Sequence, residues 1–286
     1  MRTRLKVCCI ASVDEARRAI SYGADALGLV GPMPSGPGPI PLETIAQIAA
    51  ATPPPIATFL LTSETQPEGI VAQWQQCHTT TIQLTDRVEQ EHYAALRTAL
   101  PGVKLVQVIH VTGPESLAEA QEFADVADAL LLDSGNPALT VKVLGGTGRV
   151  HDWEVSAAIC ATVACPVFLA GGLRPDNIGE AVRTVQPFGV DLCSGVRTDG
   201  QLDSEKLAAF VQALVGGCEE RARGELAVEV VVVEGDTAQA HGADVHELNE
   251  VKLGPEPDRR VAVGEGCKVL VATLTQTDKL SGLDMP

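Results

Sequence analysis

Eight short apolar runs, each followed by a segment of helical periodicity, predict an α/β fold: a (β/α)8 barrel of parallel strands carrying a C-terminal extension. Three observations support this. The runs recur at the spacing of roughly 30 residues that a β/α unit takes. They are apolar on both faces, as strands covered by helices should be. Aromatic residues are only 3% of the chain, so the core is built from Ala, Val, Leu and Ile, which suit layered parallel strands. A doubly wound open sheet competes, but eight complete units within roughly 210 residues favour closure.

In chain order, the first strand is Leu5–Ile10. Ser12, with Glu15 three residues later, makes a capping box for a helix that runs to about Tyr22 and stops at Gly23. The second strand, Ala26–Val30, leads into a Gly- and Pro-dense loop ending at Pro39 and a helix from Pro41 to about Ala51. Strand Ile56–Leu61 and a helix over Pro67–Cys77 follow, then Thr80–Leu84 with Val88–Ala99, and Val103–Ile109 with a helix from Pro114 to near Phe123. The sixth strand, Ala129–Asp133, is followed by a long loop to Asp152 and a helix over Glu154–Thr162. The seventh strand, Pro166–Ala170, ends in Gly171-Gly172 before a helix that opens at Arg174–Asn177; the eighth, Gly189–Cys193, ends in Ser194-Gly195-Val196. A helix over about Ser204–Leu214 closes the pattern.

Two domains are expected, 1–217 and 218–286. The second contains β-prone runs at Val230–Val233 and Cys267–Thr273 with no helical period. A small β appendage, a flexible tail and a segment that never folds independently are all open readings, because fewer than 70 residues supply little core.

The net charge of −16 argues against nucleic acid or an anionic membrane as a partner. No run approaches the ~20 apolar residues of a spanning helix, and the N-terminus lacks a signal-peptide pattern, so a cytoplasmic protein is expected. The eight cysteines form no C-x-x-C pair or zinc-like cluster and read mostly as small buried residues of a reducing compartment.

The seventh and eighth units carry the first functional signal. Two successive strand-to-helix turns with glycine at the turn can aim backbone N–H groups at one anion, and these units commonly hold a phosphate in such barrels. At the carboxyl ends of the first and sixth strands stand Cys8 and Asp133, a thiol and a carboxyl suited to moving a proton within a sugar phosphate. Taken singly, Cys8 reads as a core residue and Asp133 as a cap or loop carboxylate; together with the phosphate turns they read as a base and an acid.

These stretches resemble the phosphoribosylanthranilate isomerase family. Lys6-Val7-Cys8-Cys9-Ile10 matches its K-x-C-G-x strand end, Leu131-Leu132-Asp133-Ser134 its L-L-D-S end, and Gly145-Gly146-Thr147-Gly148-Arg149-Val150-His151-Asp152-Trp153 its G-G-T-G-x-x-x-D-W element. Leu169–Ile178 and Val190–Val196 match its two glycine turns, and the likeness spans residues 1 to about 216. The resemblance implies an Amadori rearrangement of an aminoaldose phosphate, with Asp133 as general acid and Cys8 as general base and no metal or redox cofactor. It implies a sugar-phosphate ligand held by Gly146, Gly148, Gly171, Gly172, Ser194 and Gly195; Lys6, Gln83 and Arg197 are further candidate contacts, and a monomer or homodimer is expected. Asn177 and Asp191 read as supports of the turns. Lys6 shares a strand face with Cys8 but stands two residues away, which makes it no obvious partner for the thiol.

Four positions depart from the family pattern. Cys9 stands where the family has glycine. Ser35-Gly36-Pro37 replaces S-P-R, whose arginine would pair with the anthranilate carboxylate, a loss of ~2 kcal/mol or more. Thr85-Asp86 follows Gln83-Leu84 where the family has H-G, and Arg197 follows Val196 where it has an acid, reading most simply as a solvated surface arginine. These departures leave room for two other readings: an isomerase of another aminoaldose phosphate, and a non-catalytic barrel that binds a sugar phosphate or a protein.

Overall fold

The computed structural model describes residues 2–135 and 150–225 and, beyond them, five strands at 229–233, 245–246, 250–252, 260–262 and 268–272. The chain divides into two compact units, Met1–Cys218 and Glu219–Pro286.

In the first unit eight parallel strands close into a barrel in chain order: β1 (Arg4–Val7), β2 (Ala26–Val30), β3 (Ala57–Thr62), β4 (Thr81–Leu84), β5 (Lys104–His110), β6 (Ala129–Asp133), β7 (Val167–Leu169) and β8 (Gly189–Leu192). The ring is completed by β1 against β8, with Lys6 in register with Asp191 and Val7 with Leu192. Helices α1 (Val13–Ser21), α2 (Leu42–Ala51), α3 (Pro67–Cys77), α4 (Gln90–Ala99), α5 (Ser116–Ala124), α6 (Trp153–Thr162) and α7 (Ile178–Val185) follow the first seven strands.

Strand alternation sorts the side chains into two cores. Leu5, Val7, Leu27, Leu29, Leu60, Leu130 and Leu132 point outward, where the helices bury them. Cys8, Val30, Phe59, Leu61, Val106, Val108, Leu131 and Phe168 point toward the axis and fill the barrel. Each fully buried Leu or Ile stabilises the fold by roughly 1.5–3 kcal/mol. The interior is less apolar than the runs suggest: Lys6 is wholly buried, and Gln83 and Asp191 are 4% and 7% exposed.

The capping box forms. Ser12 Oγ accepts from the Glu15 N–H at 3.1 Å, and the Glu15 carboxylate reaches back to the Ala11 N–H at 2.9 Å. β1 ends at Val7 rather than Ile10, because Cys9 takes a left-handed backbone with φ 61° that no strand can continue. After β8 comes a single 3₁₀ turn, Ser194–Val196, and a hairpin of β9 (Arg197–Thr198) with β10 (Gln201–Leu202) that the apolar pattern does not signal. Helix α8 runs Ser204–Glu225, well past Leu214. Its Gly216-Gly217 pair continues the helix instead of stopping it, since Gly217 lies so close to α7 that a Cβ there would come within 2.7 Å of the Gly179 Cα.

The second unit contains β11 (Glu229–Val233), β12 (Val245–His246), β13 (Glu250–Lys252), β14 (Arg260–Ala262) and β15 (Lys268–Ala272). β15 pairs antiparallel with both β11 and β12, and β13 pairs with β14. Among the described residues no helix is long and apolar enough to cross a membrane.

Candidate active site

The carboxyl ends of the strands surround a cleft that opens to solvent, at the end of the barrel where such folds bind small molecules. Cys8 and Cys9 enter from β1, Gln83 and Thr85 from β4, and Asp133 from β6. Gly171-Gly172 and Cys193-Ser194-Gly195 form the wall after β7 and β8, with Ser35-Gly36-Pro37 at the opposite lip. The strand positions explain this meeting, since a parallel barrel places every strand's last inward residue on one rim.

Two turns shape the wall after β7 and β8. Gly171 and Gly172 have φ of 83° and 61°, backbone that side chains with a Cβ rarely adopt. Gly195 is pressed against the other turn: a Cβ there would lie 2.2 Å from the Leu173 carbonyl oxygen. Asn177 braces the first turn, its Oδ1 accepting from the Arg174 N–H at 2.8 Å and its Nδ2 donating to the Gly172 carbonyl at 3.0 Å. Gly146 and Gly148 lie outside the described residues. The end of their motif is visible: Asp152 caps α6, its Oδ1 accepting from the Glu154 N–H at 2.9 Å.

On the floor, Lys6 Nζ donates to Asp191 Oδ2 at 2.8 Å and sits 5.2 Å from the centre of the Phe59 ring. Lys6 is therefore part of the cleft's foundation and does not line its surface. Burial alone would favour the neutral amine, but the Asp191 carboxylate outweighs it and holds the Lys6 pKa above its ordinary value. The two-residue spacing does not keep Lys6 away from Cys8. A Cβ on Gly28 of the neighbouring strand would meet Cys8 Sγ at 2.7 Å and Lys6 Nζ at 3.1 Å, so the sulfur and the ammonium share the space that this glycine leaves. A negative charge forming on the sulfur would find a cation beside it.

Asp191 is not the turn support expected from its position. It lines the cleft, pairs with Lys6, and keeps Oδ1 buried without a hydrogen-bond partner. Gln83 Oε1 is likewise buried, unpartnered and on the cleft. Buried acceptors left unmatched are costly unless a ligand supplies donors. The signal for Asp191 was available in the period of two: a lysine facing the barrel axis on β1 needs a carboxylate facing it from an adjacent strand. Asp133 Oδ1 accepts from the Ser134 N–H at 2.7 Å, which fixes the carboxyl at the rim.

Arg197 is not a solvated surface residue. Its side chain is 8% exposed, it pairs with Glu15 Oε1 at 3.2 Å, and it donates to the carbonyls of Cys8, Cys9 and Gly200. Its guanidinium is thus committed to structure behind the cleft and is not available as a substrate contact. Burial works to raise the Glu15 pKa, but Arg197 and the N–H groups of Leu202 and Ala11 outweigh it and hold the carboxyl below its ordinary value. A carboxylate depressed in this way stabilises the fold above its unfolded pKa and loses that contribution as pH falls through the folded one. Glu15→Gln is accordingly expected to destabilise the barrel by about 2 kcal/mol at pH 7, with the deficit shrinking below pH ~4. Urea titrations of both proteins at the two pH values measure it; a pH-independent deficit would contradict the assignment.

The sequence model of N-(5'phosphoribosyl)anthranilate (PRA) isomerase matches residues 5–213. The chain belongs to the phosphoribosylanthranilate isomerase family. It is 37% identical to N-(5'-phosphoribosyl)anthranilate isomerase 2 of Methanosarcina mazei over 210 residues, covering 73% of this chain and 92% of that one. The Halobacterium salinarum phosphoribosylanthranilate isomerase is 38% identical, with 73% and 94% covered. Among solved structures, the phosphoribosylanthranilate isomerase of Thermus thermophilus superposes with a TM-score of 0.64 at 28% identity, covering 75% of this chain and 99% of that one. In this family the match ends with the barrel, and residues after 213 lie beyond it.

Proposed function

We propose that the barrel catalyses the Amadori rearrangement of N-(5-phosphoribosyl)anthranilate to 1-(2-carboxyphenylamino)-1-deoxyribulose 5-phosphate. The observation that carries this reading is that Cys8 and Asp133, at the ends of β1 and β6, face one cleft that the pair of glycine turns also borders. The phosphate lies against the backbone of Gly171-Gly172 and Ser194-Gly195, which places the sugar between the carboxyl and the thiol.

Asp133, as the acid, protonates the furanose ring oxygen. The C1–O bond breaks as the nitrogen lone pair forms a C=N bond, leaving an open-chain iminium. Cys8, as the base, removes the C2 proton; the C–H electrons form the C1=C2 bond and the C=N pair returns to nitrogen. The resulting enolamine takes a proton at C1 while its C2 hydroxyl gives one up, and becomes the ketone. Sugar hydroxyls donate to Gln83 Oε1 and Asp191 Oδ1, the two unmatched buried acceptors among the described residues that line the cleft. Each chain supplies these groups from one barrel, so a monomer suffices for the chemistry even where copies pair. The free thiols of the described cysteines suit a reducing, cytoplasmic setting.

The experiment is to mix the purified full chain with freshly formed phosphoribosylanthranilate and follow loss of the substrate's fluorescence. Catalysis gives a rate proportional to enzyme above the buffer rate. A second reading is motivated by the cleft itself, which has no Arg or Lys among its described lining residues to meet the anthranilate carboxylate. Turnover of an aminoaldose phosphate lacking that carboxylate, with none of phosphoribosylanthranilate, would favour it.

A further inference from the structure

The reaction proposed above uses one thiol, yet three meet at this rim. Cys8 points toward the barrel axis, against Gly28 and Lys6. Cys9, with its backbone in the left-handed region, sends its side chain toward the β8 turn and the 35–37 loop. Its sulfur lies 2.6 Å from that of Cys193, with the Pro37 carbonyl at 3.6 Å on its other side. Nothing separates the two sulfurs, and both residues border the open cleft, Cys193 partly exposed. A glycine would take this left-handed backbone without strain; here a thiol stands on it.

We infer that Cys9 and Cys193 form a redox-active dithiol, a modification site that hydrogen peroxide closes to a disulfide between the ends of β1 and β8. A thiol hydrogen can sit on either sulfur; the Arg197 guanidinium, held on the Cys8 and Cys9 carbonyls, is a cation near both, and its contact with Cys193 favours the charge there. In keeping with this, the hydrogen bond with Cys9, followed by the Arg197 charge, holds the Cys193 thiol below its ordinary pKa against the effect of burial. The same hydrogen bond pushes the Cys9 thiol up.

The Cys193 thiolate attacks peroxide: an S–O bond forms, the O–O bond breaks, hydroxide leaves, and the sulfur is oxidised to the sulfenic acid. Cys9 sulfur then attacks Cys193 sulfur. The S–S bond forms, the S–O bond breaks, and the departing hydroxide takes up the Cys9 proton as water. Two thiols and one peroxide thus give one disulfide and two waters. The inference does not rest on the rearrangement chemistry, because Cys8 takes no part in it.

The test is mass mapping of the folded full chain after brief treatment with hydrogen peroxide and blocking of remaining thiols with iodoacetamide. Wild type is expected to lose about 2 Da, with one linked peptide pair containing Cys9 and Cys193, and to recover both thiols in dithiothreitol. Cys8→Ser is expected to form the same link, whereas Cys9→Ser and Cys193→Ser form none: Cys9→Ser carries Cys193 on to sulfinic acid, and Cys193→Ser leaves Cys9 alkylatable. A link that survives Cys9→Ser, a link that needs Cys8, or peroxide oxidation elsewhere while Cys9 and Cys193 both stay alkylatable would each overturn the inference. Far-ultraviolet circular dichroism of each variant confirms that an absent link does not come from an unfolded barrel.

Discussion

Replacing Cys8 by alanine is expected to lower kcat for phosphoribosylanthranilate by about 10²–10⁴-fold, the usual contribution of a positioned proton-transfer group, and Asp133→Asn by a similar factor. Cys8 is 6% exposed and sits where a glycine on the adjacent strand leaves room for it, so the smaller alanine fits without rearrangement. Neither residue belongs to the glycine turns. Both variants should therefore bind a reduced, open-chain analogue of the product within a few-fold of wild type while losing turnover. Because the acid and the base act on one substrate in sequence, the double variant should fall little below the worse single one. Wild-type kcat in Cys8→Ala would remove the thiol from the mechanism; loss of analogue binding in parallel with kcat would recast both residues as binding groups.

Lys6→Met is expected to destabilise the barrel by about 3–5 kcal/mol, the range for removing one partner of a buried ion pair. The substitution leaves the Asp191 carboxylate, 8% exposed at the side chain, with no counter-charge. Asp191→Leu should be at least as damaging, since Lys6 is wholly buried beneath the cleft. Combining the two removes both charges and should recover most of the loss. The pair also has an alkaline signature. A lysine whose pKa is raised by folding stabilises the native state fully below its unfolded value near ~10.4, and that contribution fades as pH rises through the folded pKa. Urea titrations of the four proteins at pH 7, and of wild type and the double variant up to pH 11, provide the measurement. An additive double variant would show that Lys6 and Asp191 do not interact.

Much of this molecule could be read from local pattern. The β/α alternation, the Ser12–Glu15 capping box and the glycine turns are set by neighbours within a few residues, and so is the placing of Cys8 and Asp133 at strand ends. What escaped depends on closure of the ring. Asp191 reads locally as a polar residue in a turn because its partner, Lys6, is 185 positions away and meets it only when β8 docks on β1. Arg197 reads as solvated for the same reason: its acceptors are Glu15 and the carbonyls at the end of β1. Helix α8 runs past the expected Leu214, and the close crossing with Gly179, distant in sequence, explains the glycine at 217 inside it. The Gly145–Gly148 element identified the family most specifically, although Gly146 and Gly148 lie outside the described residues.

The seam between the first and last strands has a consequence for how this protein comes into being. Lys6 and Glu15 are made at the start of the chain, and the groups that complete them, Asp191 and Arg197, follow 185 and 182 residues later. At about 5–20 residues per second, Lys6 waits roughly 10–40 s of translation for its partner. Until β8 leaves the ribosome the cleft has neither its second glycine turn nor a compensated floor. A nascent chain that has already made Cys8 and Asp133 therefore still lacks a closed cleft, which only the docking of its last barrel strand on its first supplies.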